Sequence, residues 1–180
     1  MNNNLLEIRD LSINFKVYDG LLKVVDGVDL KVKTGEKVGL VGESGCGKTT
    51  TVKSILNIFD KQAVVPHGEI NFDNKNVLKM NDKELHVLRG KDLSMIFQDP
   101  TASLNPVFTV GEQMYDVIKY SGIVDKKDKD GIKKKAIRAL KDCSMPDPDR
   151  ILQNYPFQLS GGMRQRVCIA MALSTESRLL

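Results

Sequence analysis

Tryptophan is absent from the 180 residues, and phenylalanine and tyrosine supply only 6% of them. Cysteine is scarce as well: Cys46, Cys143 and Cys168 form no CxxC pair and are odd in number. That argues against a disulfide framework and against a thiolate zinc site. The two histidines, His67 and His86, have no ligand-spaced partner and read as surface or turn residues. Long hydrophobic runs are missing too. The longest, such as Val167 to Leu173, fall far short of the roughly 20 residues a bilayer requires. The opening residues, Met1 to Asp10, hold no basic segment followed by an apolar one, so no signal peptide is expected. Charge of one sign is not abundant: 27 basic side chains against 23 acidic leave a net +4, read as dispersed along the chain. An excess so small gives no argument for a nucleic-acid partner. What is left is a chain expected to be soluble and cytoplasmic, whose chemistry must come from something other than thiols and imidazoles.

Present in ordinary amounts are the materials of a folded domain, with 41% hydrophobic and 28% charged residues. Leu5 to Phe15 and Val24 to Val32 both alternate apolar and polar residues, and Asp19-Gly20 lies between them. The pattern predicts an antiparallel hairpin of half-buried strands. Lys37 to Val41 is a short apolar run of the kind found in a buried parallel strand. A glycine-rich loop follows it, and then Lys48 to Phe59, with Val52, Ile55, Leu56 and Phe59 at helical spacing. Pro66-His67-Gly68 predicts a turn and Gly68 to Asp73 a return strand. Asn81 and Glu84 are spaced as the two members of a capping box for a short helix through Leu88. Leu93 to Phe97 reads as a second short apolar strand. From Val110 the pattern turns helical, interrupted by Asp125 to Lys135, a charged stretch best explained as a solvated loop and helix start. Ile132 to Leu140 reads as helix, and Pro146 and Pro148 break the pattern before Ile151. The order of strands, mixed region and helices fits an α/β core with a helical insertion.

Gly42-Glu43-Ser44-Gly45-Cys46-Gly47-Lys48-Thr49 satisfies GxxxxGK(S/T) at every fixed position. Glycines let such a loop curl until its N–H groups converge on phosphate oxygens, and the helix after it presents its positive end to the same anion. Lys48 supplies a point charge for the β- and γ-phosphates, the Thr49 hydroxyl a ligand for Mg²⁺, and Thr50 continues the binding turn. An apolar run before the loop and an amphipathic segment after it supply the context the motif needs. Nucleoside triphosphate binding is the expected consequence.

The loop does not by itself choose among nucleotide-hydrolysing families. Leu159-Ser160-Gly161-Gly162-Met163-Arg164-Gln165-Arg166 narrows the choice. Ser160 stands as a hydroxyl cap, and Gly161 and Gly162 as bare amides, at the start of a helix: a second anion-binding terminus. Paired with the phosphate loop, this resembles the signature motif of ABC-type ATPases, LSGGQ, with Met163 in place of Gln. The resemblance implies an α/β P-loop ATPase fold with an N-terminal antiparallel β subdomain and a helical subdomain. It also implies that Ser160 to Gly162 complete the phosphate site of a second, facing ATPase subunit, identical or related. Met95-Ile96-Phe97-Gln98-Asp99-Pro100 is similar to the family's Q-loop. There Gln98 is the expected catalytic and metal-contacting residue, touching Mg²⁺ or the attacking water and reporting to the membrane subunit. Phe15 takes the expected place of the aromatic that stacks on adenine, with Tyr18 as its competitor. Asp99 to Pro106 and Thr109 to Gln113, with Arg164 to Leu173, resemble the importers of oligopeptides, dipeptides or nickel.

From the resemblance the chain divides into a β subdomain and P-loop core over 1–98, a Q-loop and helical subdomain over 99–168, and a closing segment over 169–180. Arg178-Leu179-Leu180 is similar to the opening of the family's Walker B strand. The Asp, the Glu and the switch histidine that follow it in the family have no counterpart among these 180 residues. The expectations are accordingly a C-terminally incomplete domain that alone binds ATP and Mg²⁺ weakly, hydrolyses little or none, and is marginally stable or aggregation-prone unless a partner chain fills the gap. The implied setting is the cytoplasmic face of the membrane, with permease subunits as partners, a substrate-binding protein indirectly, and no nucleic acid. Two other readings stay open: a soluble ABC-type ATPase outside transport, and an inactive nucleotide-binding fragment.

Overall fold

The computed structural model describes residues 4–180, in two compact units that meet in sequence between Leu85 and His86. The first unit is built on a sheet of order β2-β1-β3-β4. Strands β1 (Asn4–Val17) and β2 (Gly20–Lys33) form the expected antiparallel hairpin, and β3 (Ala63–Phe72) pairs antiparallel with the other edge of β1. The two-residue β4 (Lys75–Asn76) closes the sheet beyond β3. β1 is paired along both edges, and its side chains are buried on both faces rather than one: Leu5, Leu6, Ile8, Leu11 and Ile13 are all enclosed. Glu7 is buried with them. Its carboxylate accepts from Arg9 at 2.7 Å and pairs with Lys31 at 3.1 Å, and the Arg9 hydrogen bond, with Lys31 behind it, holds the carboxyl below its ordinary value.

Three irregularities line up across this sheet. Asp10 in β1 has φ 45°, Gly27 in β2 φ 63° and Gly68 in β3 φ 106°. The predicted turn at Pro66-His67-Gly68 is therefore a bulge inside a longer strand, one that begins five residues earlier than expected. A Cβ on Gly68 would stand 2.5 Å from the Cα of Leu11 and 2.6 Å from the carbonyl oxygen of Asp10, so glycine is required there.

Helix α1 (Lys48–Ile55) starts where predicted and ends four residues early. Asn57 takes φ 51°, the Ile58 N–H donates to Lys53 O at 3.1 Å, and the Asn57 N–H donates to Ser54 O at 2.9 Å. That is a Schellman stop with asparagine at the left-handed position, which overrides the apolar spacing of Leu56 and Phe59. The run Lys37 to Val41 is not a strand. Val38 is 46% and Val41 95% exposed. A parallel strand holds its shape through neighbours on both edges, and among the described residues no strand offers its edge to this run.

The second unit is mostly helical. After α2 (Asp82–Val87), whose Asn81–Glu84 box forms as predicted, come a wide turn at Leu88–Asp92 and the short α3 (Pro100–Ser103). The main body is α4 (Val110–Ser121), α5 (Lys129–Asp142), α6 (Pro148–Gln153) and α7 (Gly161–Ser174). Val110, Met114 and Ile118 of α4, and Ile132, Ala136 and Leu140 of α5, recur every four residues and form buried rows. Ile151, Leu152, Val167 and Ala170 close the same core. Asp128 caps α5 through the Gly131 N–H at 2.8 Å, so the charged stretch is indeed a loop and helix start. Of the predicted strand Leu93 to Phe97, only Leu93 makes a bridge, parallel to Leu179, while Ile96 and Phe97 are exposed. One bridge is too little to extend pairing along the run.

Candidate functional site

The phosphate loop belongs to the first unit. Gly45 (φ 84°) and Gly47 (φ 89°) both take left-handed backbone, and Gly47 is the cap of α1. Gly47 is pressed against β2. A Cβ there would lie 2.6 Å from Val24 O and 3.2 Å from Val25 Cγ2. From the other side the Thr51 N–H and hydroxyl donate to Gly47 O at 2.8 and 3.1 Å. Val24, Val25 and the buried Thr51 thus fix the loop's last turn, a role sequence reading did not assign. The only sequence signal for it is a hydroxyl four residues after the final glycine.

Lys48 folds back over the loop. Its ammonium donates to Gly42 O at 2.8 Å, to Glu43 O at 2.5 Å and to Cys46 Sγ at 3.4 Å. Gly42, Glu43, Ser44, Gly45 and Cys46 are exposed around it, and Thr49 is exposed on the first turn of α1 with half-buried Thr50 beside it. A cation held by neutral carbonyl oxygens can be drawn off by an anion, since charge-assisted bonds are the stronger kind. The arrangement suits a polyphosphate, and the Thr49 hydroxyl is an oxygen donor of the hard kind that Mg²⁺ takes. Phe15 lies in the same unit near the end of β1, half-buried between Leu22 of β2 and Ala63 of β3. Tyr18 is wholly exposed at the hairpin turn.

The other candidate residues belong to the second unit. Gln98 is exposed at a bend, and Asp99 after it caps α3 through the Thr101 N–H at 2.8 Å. Ser160 caps α7, its Oγ accepting from the Met163 N–H at 3.3 Å. A Cβ on Gly161 or Gly162 would meet nothing within 4 Å. The protein's own packing does not demand glycine there, so the bare amides and positive end of a 14-residue helix are left open to a ligand. Gln113, which the sequence offers only as the end of a family-like segment, has a structural role as well. Its carboxamide accepts from the Asn105 N–H at 2.9 Å and donates to Asn105 O and Phe108 O at 3.0 Å each, tying the 105–109 loop to α4. The adjacent Thr109–Glu112 box holds Glu112 ionised below its ordinary range, chiefly through the Thr109 main-chain N–H.

Comparison with known proteins bears on both halves. The profile of the ABC transporter family matches residues 25–180. The dipeptide transport ATP-binding protein DppD of Bacillus subtilis is 42% identical over 176 residues, 97% of this chain and 52% of that protein. The oligopeptide transport ATP-binding protein OppD of the same organism is 40% identical over 178 residues, 98% of this chain and 49% of that one. This chain spans about half the length of these relatives. Among solved structures, the ATP-binding cassette MJ0796, in a dimeric post-hydrolysis state bound to ADP and Pi, superposes with a TM-score of 0.84. It shares 27% identity and covers 96% of this chain and 70% of its own.

Proposed function

This chain belongs to the ABC transporter family, and from that premise we propose that it is the ATP-binding part of a peptide importer subunit. The observation that carries the proposal is the phosphate loop: Gly45 and Gly47 in left-handed backbone, the start of α1 behind them, and the Lys48 ammonium held on two exchangeable carbonyls. In this reading Gly42 to Thr50 bind the triphosphate of one ATP, Thr49 holds Mg²⁺, and Phe15 stacks on adenine. Ser160, Gly161 and Gly162 complete the site of a partner ATPase subunit. Gln98 contacts the metal or the attacking water and couples the site to the permease.

Peptide rather than nickel is favoured by the names of the similar proteins, which are dipeptide and oligopeptide transport ATP-binding proteins. Hydrolysis, peptide uptake, permease subunits and an extracytoplasmic binding protein are proposed for the whole protein. No helix among the described residues is long and apolar enough to cross a membrane. In this reading the transport path belongs to partner chains, and this chain sits at the cytoplasmic face of the membrane.

Titration of the chain with a fluorescent ATP analogue and Mg²⁺ tests the reading. Saturable binding is expected, and Lys48→Ala should weaken it at least tenfold, the order lost with one or two charge-assisted hydrogen bonds. Equal affinity of the variant and the parent would remove the basis of the assignment.

A further inference from the structure

Counted along the chain, the basic excess is not dispersed, contrary to the expectation from composition, but gathered in one stretch. Residues 119–135 contain seven lysines and three aspartates, 7 − 3 = +4, equal to the net charge of all 180 residues. Two of these lysines are spent internally, Lys133 on Asp149 at 3.1 Å and Lys135 on Glu176. Two of the aspartates accept main-chain N–H groups, Asp125 from Lys127 and Asp128 from Gly131, both at 2.8 Å. The other five lysines have no ion-pair partner among the described residues.

A lysine-rich helix start is ordinarily a solvated face. Here the lysines converge. Tyr120, at the end of α4 and 56% exposed, has the Lys119 ammonium 5.8 Å and the Lys126 ammonium 5.4 Å from its ring centroid. His86 meets the same ring edge-on at 6.4 Å. The turn Leu88–Asp92 backs the tyrosine, leaving a Cβ on Gly90 only 3.3 Å from Tyr120 O. Cation–π contacts thus hold an amphipathic ring at the surface with positive charges from two different elements around it. Unspent like charges placed this close raise each other's energy, and a partner of opposite sign relieves that.

We propose that the surface around Tyr120, Lys119, Lys126 and Lys127 contacts the anionic headgroups of a phospholipid bilayer. The inference rests on the transporter reading, which puts the chain beside a membrane that it does not enter. Clustered lysines gain from the negative potential of an anionic leaflet, and a tyrosine ring suits the headgroup level.

Vesicle flotation of the full chain tests this, with equimolar phosphatidylcholine and phosphatidylglycerol against phosphatidylcholine alone. Partition into the anionic vesicles alone is expected, falling as salt is added. Lys119→Gln with Lys126→Gln should lower it roughly 30-fold, and Tyr120→Ala should lower it further. A control pair with the same loss of charge, Lys61→Gln with Lys75→Gln on the first unit, should leave it within about twofold. Equal partition into both vesicles, equal weakening by the control pair, or displacement by single-stranded RNA or an acidic peptide at matched salt would each overturn the proposal. Binding of the ATP analogue is read on the same samples. If it persists while flotation fails, the lipid contact falls alone; if it is missing in the parent chain, the transporter reading falls first.

Discussion

At Gly47 a single hydrogen decides whether the phosphate loop closes. Any side chain must adopt φ 89° and displace a main-chain carbonyl 2.6 Å away, which no rotamer can relieve. Gly47→Ala is expected to lower ATP-analogue affinity at least tenfold while the far-ultraviolet circular dichroism changes little. Glu112 sets a pH limit. Its carboxyl lies below the ordinary 4.5 in the folded chain, so its stabilising contribution is complete above that value and is lost as pH falls through the folded pKa. The midpoint of thermal unfolding should fall in acid below pH 4.5 more steeply for the parent than for Glu112→Gln, which has no charge to lose. At this scale the residue types of the candidate site could be picked out of the sequence, because phosphate chemistry calls for glycines, a lysine and a hydroxyl at fixed spacing. The grip of Val24 and Thr51 on Gly47, and of Gln113 on the 105–109 loop, was not, since both depend on which main-chain groups folding brings near.

Helix beginnings were easier to read than helix ends. Ser160 and Asn81 cap the helices that follow them as their spacing predicts, and Thr109 and Asp128, which the sequence reading did not single out, do the same, each with a side-chain oxygen that accepts from the first turn. The stop of α1 at Asn57 escaped the apolar spacing, because a left-handed asparagine is a backbone event that periodicity does not record. Strands were legible where a hairpin made their pairing local, and illegible at Lys37 to Val41, where apolar character predicts burial but only a neighbouring strand confers it. Ser160→Ala should cost about 1 kcal/mol of stability by chemical denaturation, the usual loss of a cap. Asn57→Val should cost about 1–2 kcal/mol, the penalty of a branched side chain in left-handed backbone. Met114→Ala, in the buried row of α4, should cost about 2–5 kcal/mol. A smaller loss at Met114 than at Ser160 would mean that the helical core does not pack as described.

Across the whole molecule, stability is unevenly distributed. Between Lys37 and Gly45 no amide donates to a main-chain carbonyl among the described residues, whereas β1 is bonded along both edges. Amide exchange should therefore be fast over 37–45 and slow over Leu6 to Ile13, and adding Mg-ATP should slow it at 42–48. Unchanged exchange at 42–48 with nucleotide present would count against the phosphate loop as the binding element. The aligned irregularities at Asp10, Gly27 and Gly68 act on the same sheet in another way. Alternating strands can slip by two residues and still keep every side chain on its proper face, so patterning alone leaves several pairings nearly equivalent. Here a slip in either direction would set the Asp10 kink against ordinary pleat and bring a Cβ into the space only Gly68 leaves open. The three strands work like a latch with a single notch: the unit can come apart, but it cannot close in the wrong position.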